Sequence, residues 1–247
     1  FTIRHLTKPL SEFTGSALNI AKGDFDTPLP EIHSEDEIMT LRNSFDYMQH
    51  SLKDYIQNLK QTTAANERYE SELNIASKLQ MAMLPVDFPN NDKLDLSALL
   101  KPAREVGGDL YDFVFRDKYL YFTVGDVSGK GVPASLIMAI TRSAFRFISG
   151  LHLPLDQVVS NINNSLTDGN DSNMFVTLFV GRLNLENGEL EYCNAGHNPI
   201  VLIDSAGKAS FLPVKANLAV GLFMDFPYQM QTMHLDKGSS LLLYTDG

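Results

Sequence analysis

Cysteine is almost absent from this 247-residue sequence, and the single one, Cys193, lies in the strand-like stretch Leu190-Glu-Tyr-Cys-Asn. One cysteine excludes an internal disulfide, fits a reducing compartment, and is expected to be a buried structural thiol. No apolar run approaches the roughly 18 residues that a membrane-spanning helix needs. Positive charge is scarce too: 20 Lys and Arg stand against 30 Asp and Glu, giving a formal net charge of −10 and a pI near 5.0. Binding a phosphate backbone requires clustered Lys and Arg, and no cluster occurs, so nucleic acid is excluded as a partner and a neutral or locally basic surface is favoured. The histidines and the cysteine form no cluster with zinc-ligand spacing. At 44% hydrophobic and 20% charged, the chain can bury a good core and is long enough for more than one domain. It starts without Met and stops after Tyr-Thr-Asp-Gly, which reads as a fragment.

The pattern changes near Pro85. Before it, two segments carry apolar residues at alternating spacings of three and four. The first holds Leu6, Leu10, Phe13, Ala17 and Ile20 and closes with Lys22-Gly23, a basic last turn before a C′ glycine. Residues 24 to 37, with Pro28 and Pro30, cannot continue a helix, and Ser34 with Glu37 makes a capping box for the next. The second helix carries Ile38, Leu41, Phe45, Met48, Leu52, Tyr55 and Leu59, a heptad seam that wants a partner helix. Two short helices cannot shield both stripes well alone, so a parallel homodimer forming a four-helix bundle is the economical solution, with an intramolecular helical hairpin as the alternative. Residues 5 to 59 resemble a HAMP domain, with Pro9, Gly23 and Glu35-Asp36-Glu37-Ile38 as landmarks. That resemblance implies a relay module following a transmembrane helix upstream of Phe1. It places this chain in the cytoplasmic portion of a bacterial inner-membrane receptor.

Continued in the same rhythm, the seam meets Thr62, Asn66, Tyr69, Leu73, Ala76, Gln80 and Met83, so one helix is predicted from Glu37 to about Leu84. Polar residues at seam positions 62 and 66 weaken its middle and suit a linker poised between two packings, with a rigid spacer of imperfect heptads as the alternative. The expected division is 1–59 for the helical bundle, 60–84 for a signalling linker and 85–247 for a second domain.

In that domain short β-like runs surround two helices. Strands are predicted at 94–100, 109–115, 119–127, 173–183, 189–194, 200–203, 209–212, 229–235 and 240–244, with helices at 132–149 and 154–166. Asn187-Gly188 is a strong hairpin turn. Tight turns between strands imply antiparallel sheets covered by segregated helices, an α+β sandwich.

The most informative pattern is a hairpin. Asp109-Leu-Tyr-Asp-Phe-Val-Phe turns through Arg116-Asp117-Lys118 and returns as Tyr119-Leu-Tyr-Phe-Thr-Val-Gly-Asp126. With Asp117 and Lys118 at the centre of the turn, Asp109 faces Asp126. Opposed cross-strand Cβ atoms are about 5 Å apart, so the two charges would repel by about 3 kcal/mol at an effective dielectric near 20. Something positive should sit between them, and a hard divalent ion, Mg²⁺ or Mn²⁺, suits an all-oxygen site.

The stretches Glu105-Val-Gly-Gly-Asp-Leu-Tyr-Asp-Phe113 and Val124-Gly-Asp-Val-Ser-Gly-Lys-Gly-Val-Pro-Ala134 closely resemble the SpoIIE-like branch of the metal-dependent (PPM) protein phosphatases, relatives of protein phosphatase 2C. Asn173-Met-Phe-Val-Thr-Leu-Phe179, Tyr192-Cys-Asn-Ala-Gly-His-Asn-Pro199 and Leu241-Leu-Leu-Tyr-Thr-Asp-Gly247 extend the likeness over residues 70 to 247. The resemblance implies a two-metal Mn²⁺ or Mg²⁺ site held by Asp109, Asp126, the Val127 carbonyl and Asp246. It also implies dephosphorylation of phosphoserine or phosphothreonine on an anti-anti-sigma protein of STAS type, in bacterial partner switching. Family members carry a further metal-binding aspartate beyond Tyr-Thr-Asp-Gly. Its absence from this sequence leaves two expectations: an incomplete stretch of an enzyme, or a catalytically inactive phosphoprotein-binding or dimerisation module.

Other motifs fail. Ser128-Gly-Lys-Gly131 lacks P-loop spacing, and Lys130 is expected to be a solvated loop lysine. Gly107-Gly108-Asp109 resembles the start of a diguanylate cyclase signature, but Leu110-Tyr111 departs from it. No phosphoacceptor histidine helix or nucleotide-binding glycine box supports a histidine kinase. Asp112 reads as a strand-face or surface carboxylate rather than a ligand. His197, in Gly-His-Asn-Pro, is expected to satisfy backbone groups of a tight turn rather than act as a general acid.

Overall fold

A computed structural model describes residues 2–32, 37–89, 92–102 and 106–246, the side chains of residues 2–9 excepted. Ser34 of the predicted capping box and Glu35-Asp36 of the landmark fall on residues outside that set, as do Glu105 and Gly247. The chain clusters into two compact units, Phe1–Ser71 and Glu72–Gly247.

The first unit contains α1 (Thr2–Ala21) and most of α2 (Glu37–Met83). Helix α1 stops where a glycine can take a left-handed conformation: Gly23 has φ of 93°, its N–H donates to Ile20 O (2.9 Å), and the Asp24 N–H reaches back to Asn19 O (3.0 Å). This is a Schellman closure of the helix end. Phe13, Ser16 and Ile20 are buried, and the Phe13 and Phe45 rings pack 5.5 Å apart. The connector is pinned by α2: Gln49 Nε2 donates to Phe25 O (2.7 Å) and Thr27 O (2.8 Å), and Lys53 pairs with Asp26. The face of α2 that meets the connector therefore carries buried Gln49, while Met48, Tyr55 and Leu59 of the predicted seam stay exposed.

The second unit is α+β. Strands β1 (Leu110–Arg116), β2 (Tyr119–Val127), β3 (Val176–Asn184), β4 (Glu189–Ala195) and β7 (Gln231–His234) form one antiparallel sheet in the order β1-β2-β3-β4-β7. A smaller antiparallel sheet has the order β6-β5-β8, from β5 (Val201–Ile203), β6 (Ala209–Phe211) and β8 (Ser240–Leu242). Helices α3 (Val132–Ile148) and α4 (Leu155–Thr167) cover one face of the large sheet, where Leu110, Tyr121, Leu178, Val180 and Cys193 meet Met138, Phe145, Val158 and Ile162. A second cluster, with Leu120, Phe179, Leu190, Tyr192, Ile200 and Leu212, fills the other face. Cys193 is 1% exposed and burial pushes its thiol up to about 12, so it is the inert core thiol expected.

One predicted strand is corrected. From Leu94 to Leu100 only Leu94 makes a single-residue bridge, and the rest has no ladder. Leu94 packs against the second cluster while Leu99 is 91% exposed, so the alternating pattern reports one-sided packing without a paired neighbour. Strand β3 also begins three residues later than predicted, because Asn170 holds the preceding turn: its Nδ2 donates to Met174 O and its Oδ1 accepts the Met174 N–H.

Candidate active site

The hairpin has the register expected from its turn. Leu110 pairs with Gly125 and Arg116 with Tyr119, leaving Asp117 (φ 51°) and Lys118 as the two-residue turn. One step beyond Leu110–Gly125, Asp109 stands opposite Asp126, and Asp126 pairs in turn with Thr177 on β3. Directly opposed residues share a face, so Asp109, Asp126 and Thr177 form a cross-strand row at one end of the large sheet.

Charge accumulates there. The Asp126 carboxyl is pushed up to about 6, first by burial and then by the charges of Asp109 and Asp246, and its side chain hydrogen-bonds Asp109. Two carboxyl groups held together in this way need a proton or a cation between them. The other oxygen of that pair, Asp109 Oδ1, is buried without a hydrogen-bond partner. Asp246, four residues past β8, brings the small sheet's contribution to the same charge cluster. A Cβ added to Gly108 would lie 2.9 Å from Val127 O, so only glycine lets the backbone before Asp109 approach that carbonyl so closely. Among the described residues no group of three or more His, Cys, Asp or Glu is gathered tightly enough to hold a metal by itself. The fit is therefore to a hard ion that takes one or two carboxylates and keeps waters elsewhere, as Mg²⁺ does.

The surroundings are held in place. Gln80, buried near the end of α2, clasps Gly107 at both backbone groups: Nε2 donates to Gly107 O (2.6 Å) and Oε1 accepts the Gly107 N–H (3.1 Å). Ser128 and Phe175 also bond twice, N–H to O and N–H to Oγ, each 2.8 Å. Lys130 is exposed, as expected of a loop lysine.

One residue has partners its sequence reading did not include, and one departs from its reading. Asp112 does lie on a strand face, but it is only 2% exposed: Arg146 Nε and Nη2 donate to its two oxygens (2.5 and 2.7 Å), and Arg142 Nε lies 2.9 Å from Oδ2 without hydrogen-bond geometry. Nothing in the sequence near Asp112 announces that pair, because both arginines come from α3. His197 does not satisfy the turn's backbone. That task falls to Asn194, whose Oδ1 accepts the His197 N–H (2.7 Å) and whose Nδ2 donates to His197 O (3.1 Å). The imidazole instead meets Thr177 Oγ1 through Nδ1 at 3.0 Å, and burial holds it below its ordinary range.

The sequence model of Stage II sporulation protein E (SpoIIE) matches residues 116–247. The chain belongs to the SpoIIE family. The matched stretch includes Asp126, Val127 and Asp246 and begins after Asp109. A HAMP domain model matches residues 1–54, so the helical unit is a HAMP region. Protein IcfG of Synechocystis sp. is 33% identical over 99% of this chain and 43% of its own length. Phosphoserine phosphatase RsbU of Bacillus subtilis is 29% identical over 73% of this chain and 54% of its own. The chain thus spans about half the length of these relatives. The RsbU and RsbW domains of Rv1364c from Mycobacterium tuberculosis superpose with a TM-score of 0.54 at 27% identity, over 60% of this chain and 41% of that one. The phosphatase-type α+β fold follows from this likeness. Among the described residues no helix is long and apolar enough to cross a membrane.

Proposed function

We propose that this chain is the HAMP-regulated part of a metal-dependent serine/threonine protein phosphatase. The observation that carries the reading is the facing pair Asp109 and Asp126, with Asp126 raised to about 6 and Asp109 Oδ1 buried without a partner. Asp109 and Asp126 would hold Mn²⁺ or Mg²⁺, with the Val127 carbonyl and Asp246 as further oxygen donors. Bound there, such ions make a water acidic enough to attack phosphorus and neutralise phosphate oxygens. The chain's own part is positional. Gly108 admits the backbone beside Val127, the Ser128–Phe175 pair fixes the loop after Asp126, and Gln80 fixes the backbone before Asp109. No side-chain nucleophile is required.

The substrate proposed is a phosphoserine or phosphothreonine on a STAS-type anti-anti-sigma protein, a reading supported by the likeness to the phosphoserine phosphatase of Bacillus subtilis. Exposed Met48, Tyr55 and Leu59 support a homodimer through the HAMP helices and linker, below an upstream membrane span. Gln80 supports the route of control, since a turn or slide of the end of α2 acts directly on Gly107. Among the described residues no tight three-ligand group is gathered, which favours a second reading, a catalytically inactive phosphoprotein-binding or dimerisation module.

The deciding experiment is Mn²⁺-dependent phosphate release from a phosphoserine STAS-type protein, with Asp126→Asn alongside. Turnover that needs metal and falls at least about 100-fold in the variant is expected. Substrate binding without turnover would move the choice to the second reading.

A further inference from the structure

Among the described residues, three buried side-chain polar atoms lack a hydrogen-bond partner: Asp109 Oδ1, Arg142 Nε and His197 Nε2. Arg142 belongs to the Asp112 pair. The other two are an acceptor and a ring nitrogen, and their residues interact electrostatically. A buried donor or acceptor left unmade costs about 1–3 kcal/mol, so two orphans in one neighbourhood call for a common explanation.

The ring's surroundings favour a proton on Nε2. Nδ1 is 3.0 Å from Thr177 Oγ1, whereas the alternative acceptor for that hydroxyl, Asp126 O, is 3.4 Å away. The shorter contact favours donation from Thr177 to Nδ1. The ring's remaining neighbours are all acceptors: the backbone carbonyls of Tyr244 and Thr177, both of which draw a ring N–H, and the carboxylates of Asp109 and Asp246. A bare Nε2 lone pair would be repelled by each of them, and an Nε2–H suits them all. The His197 backbone is clamped on both sides by Asn194, and the residue is 7% exposed, so the ring cannot turn away to solvent.

We propose that His197 is a positioning residue for the metal site: Thr177 sets its Nε2–H tautomer, and that N–H engages Asp109 Oδ1 through one water, leaving the other Asp109 oxygen directed toward Asp126 and the ion. The proposal rests on the metal-site reading above. Hydrogen-bonded partners of ligating carboxylates orient them, and their loss costs about 10- to 100-fold in metal affinity. His197 itself touches neither the ion nor substrate, which separates this role from that of a general acid.

The test uses the 247-residue chain. Long-range ¹H–¹⁵N spectra of the metal-free, histidine-labelled protein should show His197 as the Nε2–H tautomer, and Thr177→Val should erode that signature. Calorimetric titration with Mn²⁺ should give His197→Ala an affinity about 10- to 100-fold below wild type, with His197→Gln, which keeps a side-chain donor, recovering part of it. An Nδ1–H signature in the wild type overturns the proposal whether or not the alanine variant folds. Wild-type Mn²⁺ binding that His197→Ala leaves unchanged also overturns it while sparing the metal site. Failure of the wild type to bind Mn²⁺ at all overturns the metal-site reading, and this proposal with it.

Discussion

Asp109 and Asp112 stand three residues apart at the start of the same hairpin and differ in every physical respect. An odd spacing along a strand sends them to opposite faces. Asp112 enters the helix-covered core beside Leu110 and Val114, where Arg146 grips both its oxygens. Asp109 turns to the other face, where its nearest charged neighbours are carboxylates and one of its oxygens has no partner. The fold has thus fully neutralised one buried acid and left an oxygen of its near neighbour without a partner. A structural carboxylate is recognisable by the cation the chain supplies for it, and a ligand by the cation the chain withholds.

Breaking the satisfied member should cost most. Asp112→Asn leaves two guanidinium groups packed against a neutral amide, and unfolding in urea should show a loss of about 3 kcal/mol. A loss below about 1 kcal/mol would mean that solvent serves the half-exposed Arg146 equally well. Supplying a divalent cation at the other member should do the reverse. Mn²⁺ at about 100 times its Kd should stabilise the wild type by about 2.7 kcal/mol, seen as a higher Tm, and should leave Asp126→Asn unmoved. Equal shifts in both proteins would place the ion elsewhere.

Gly108→Ala comes next in size. Its Cβ would meet Val127 O at 2.9 Å and Val127 N at 3.2 Å, both backbone atoms that cannot rotate away. A destabilisation of about 2 kcal/mol is expected, together with weaker Mn²⁺ binding because Asp109 is dragged along. The smallest effect concerns the repulsion itself. Asp126 is raised from 3.8 to about 6, so the folded state holds a proton that the unfolded state has lost, and stability contributed by this group falls as pH rises between those values. Unscreened, the shift would amount to about 3 kcal/mol, but the group is partly solvated and about 1 kcal/mol is a fairer figure. Metal-free Asp126→Asn should therefore be about 1 kcal/mol more stable than wild type at pH 7.5 and no more stable at pH 4. A gain that persists at pH 4 would mean that something other than charge is relieved.

The sequence disclosed the unsatisfied member better than the satisfied one, for a physical reason. The facing of Asp109 and Asp126 depends on a two-residue turn and strand alternation, both local, and the observed register follows from them. The antiparallel sheets and their two covering helices were legible on the same grounds, from short β-rich runs, tight turns and helical periodicity. The partners of Asp112 lie on α3, more than a helix away in sequence, and no local rule selects them. The same holds for Gln80. Its seam position was visible, but its bonds to Gly107 arise only where the helix end meets the loop before β1. His197 was read as a turn residue because Asn194 was not seen to do that work. Residues 94–100 misled for the complementary reason: alternation reveals a one-sided environment, and pairing requires a free edge that sequence does not display.

The two-residue turn also sets an order of events. Hairpins close in about 1–10 μs, well before distant strands find one another, so Asp109 and Asp126 are thrown together when little else of the sandwich exists. Asp246 reaches them only when the small sheet docks. The repulsion is then met at the first step of assembly, and a divalent ion present during refolding should speed the folding limb of a stopped-flow experiment as well as slow the unfolding limb. In this chain the repulsion between two acids is a barrier on the route to the fold, and a divalent ion that relieved it would take part in folding before it took part in chemistry.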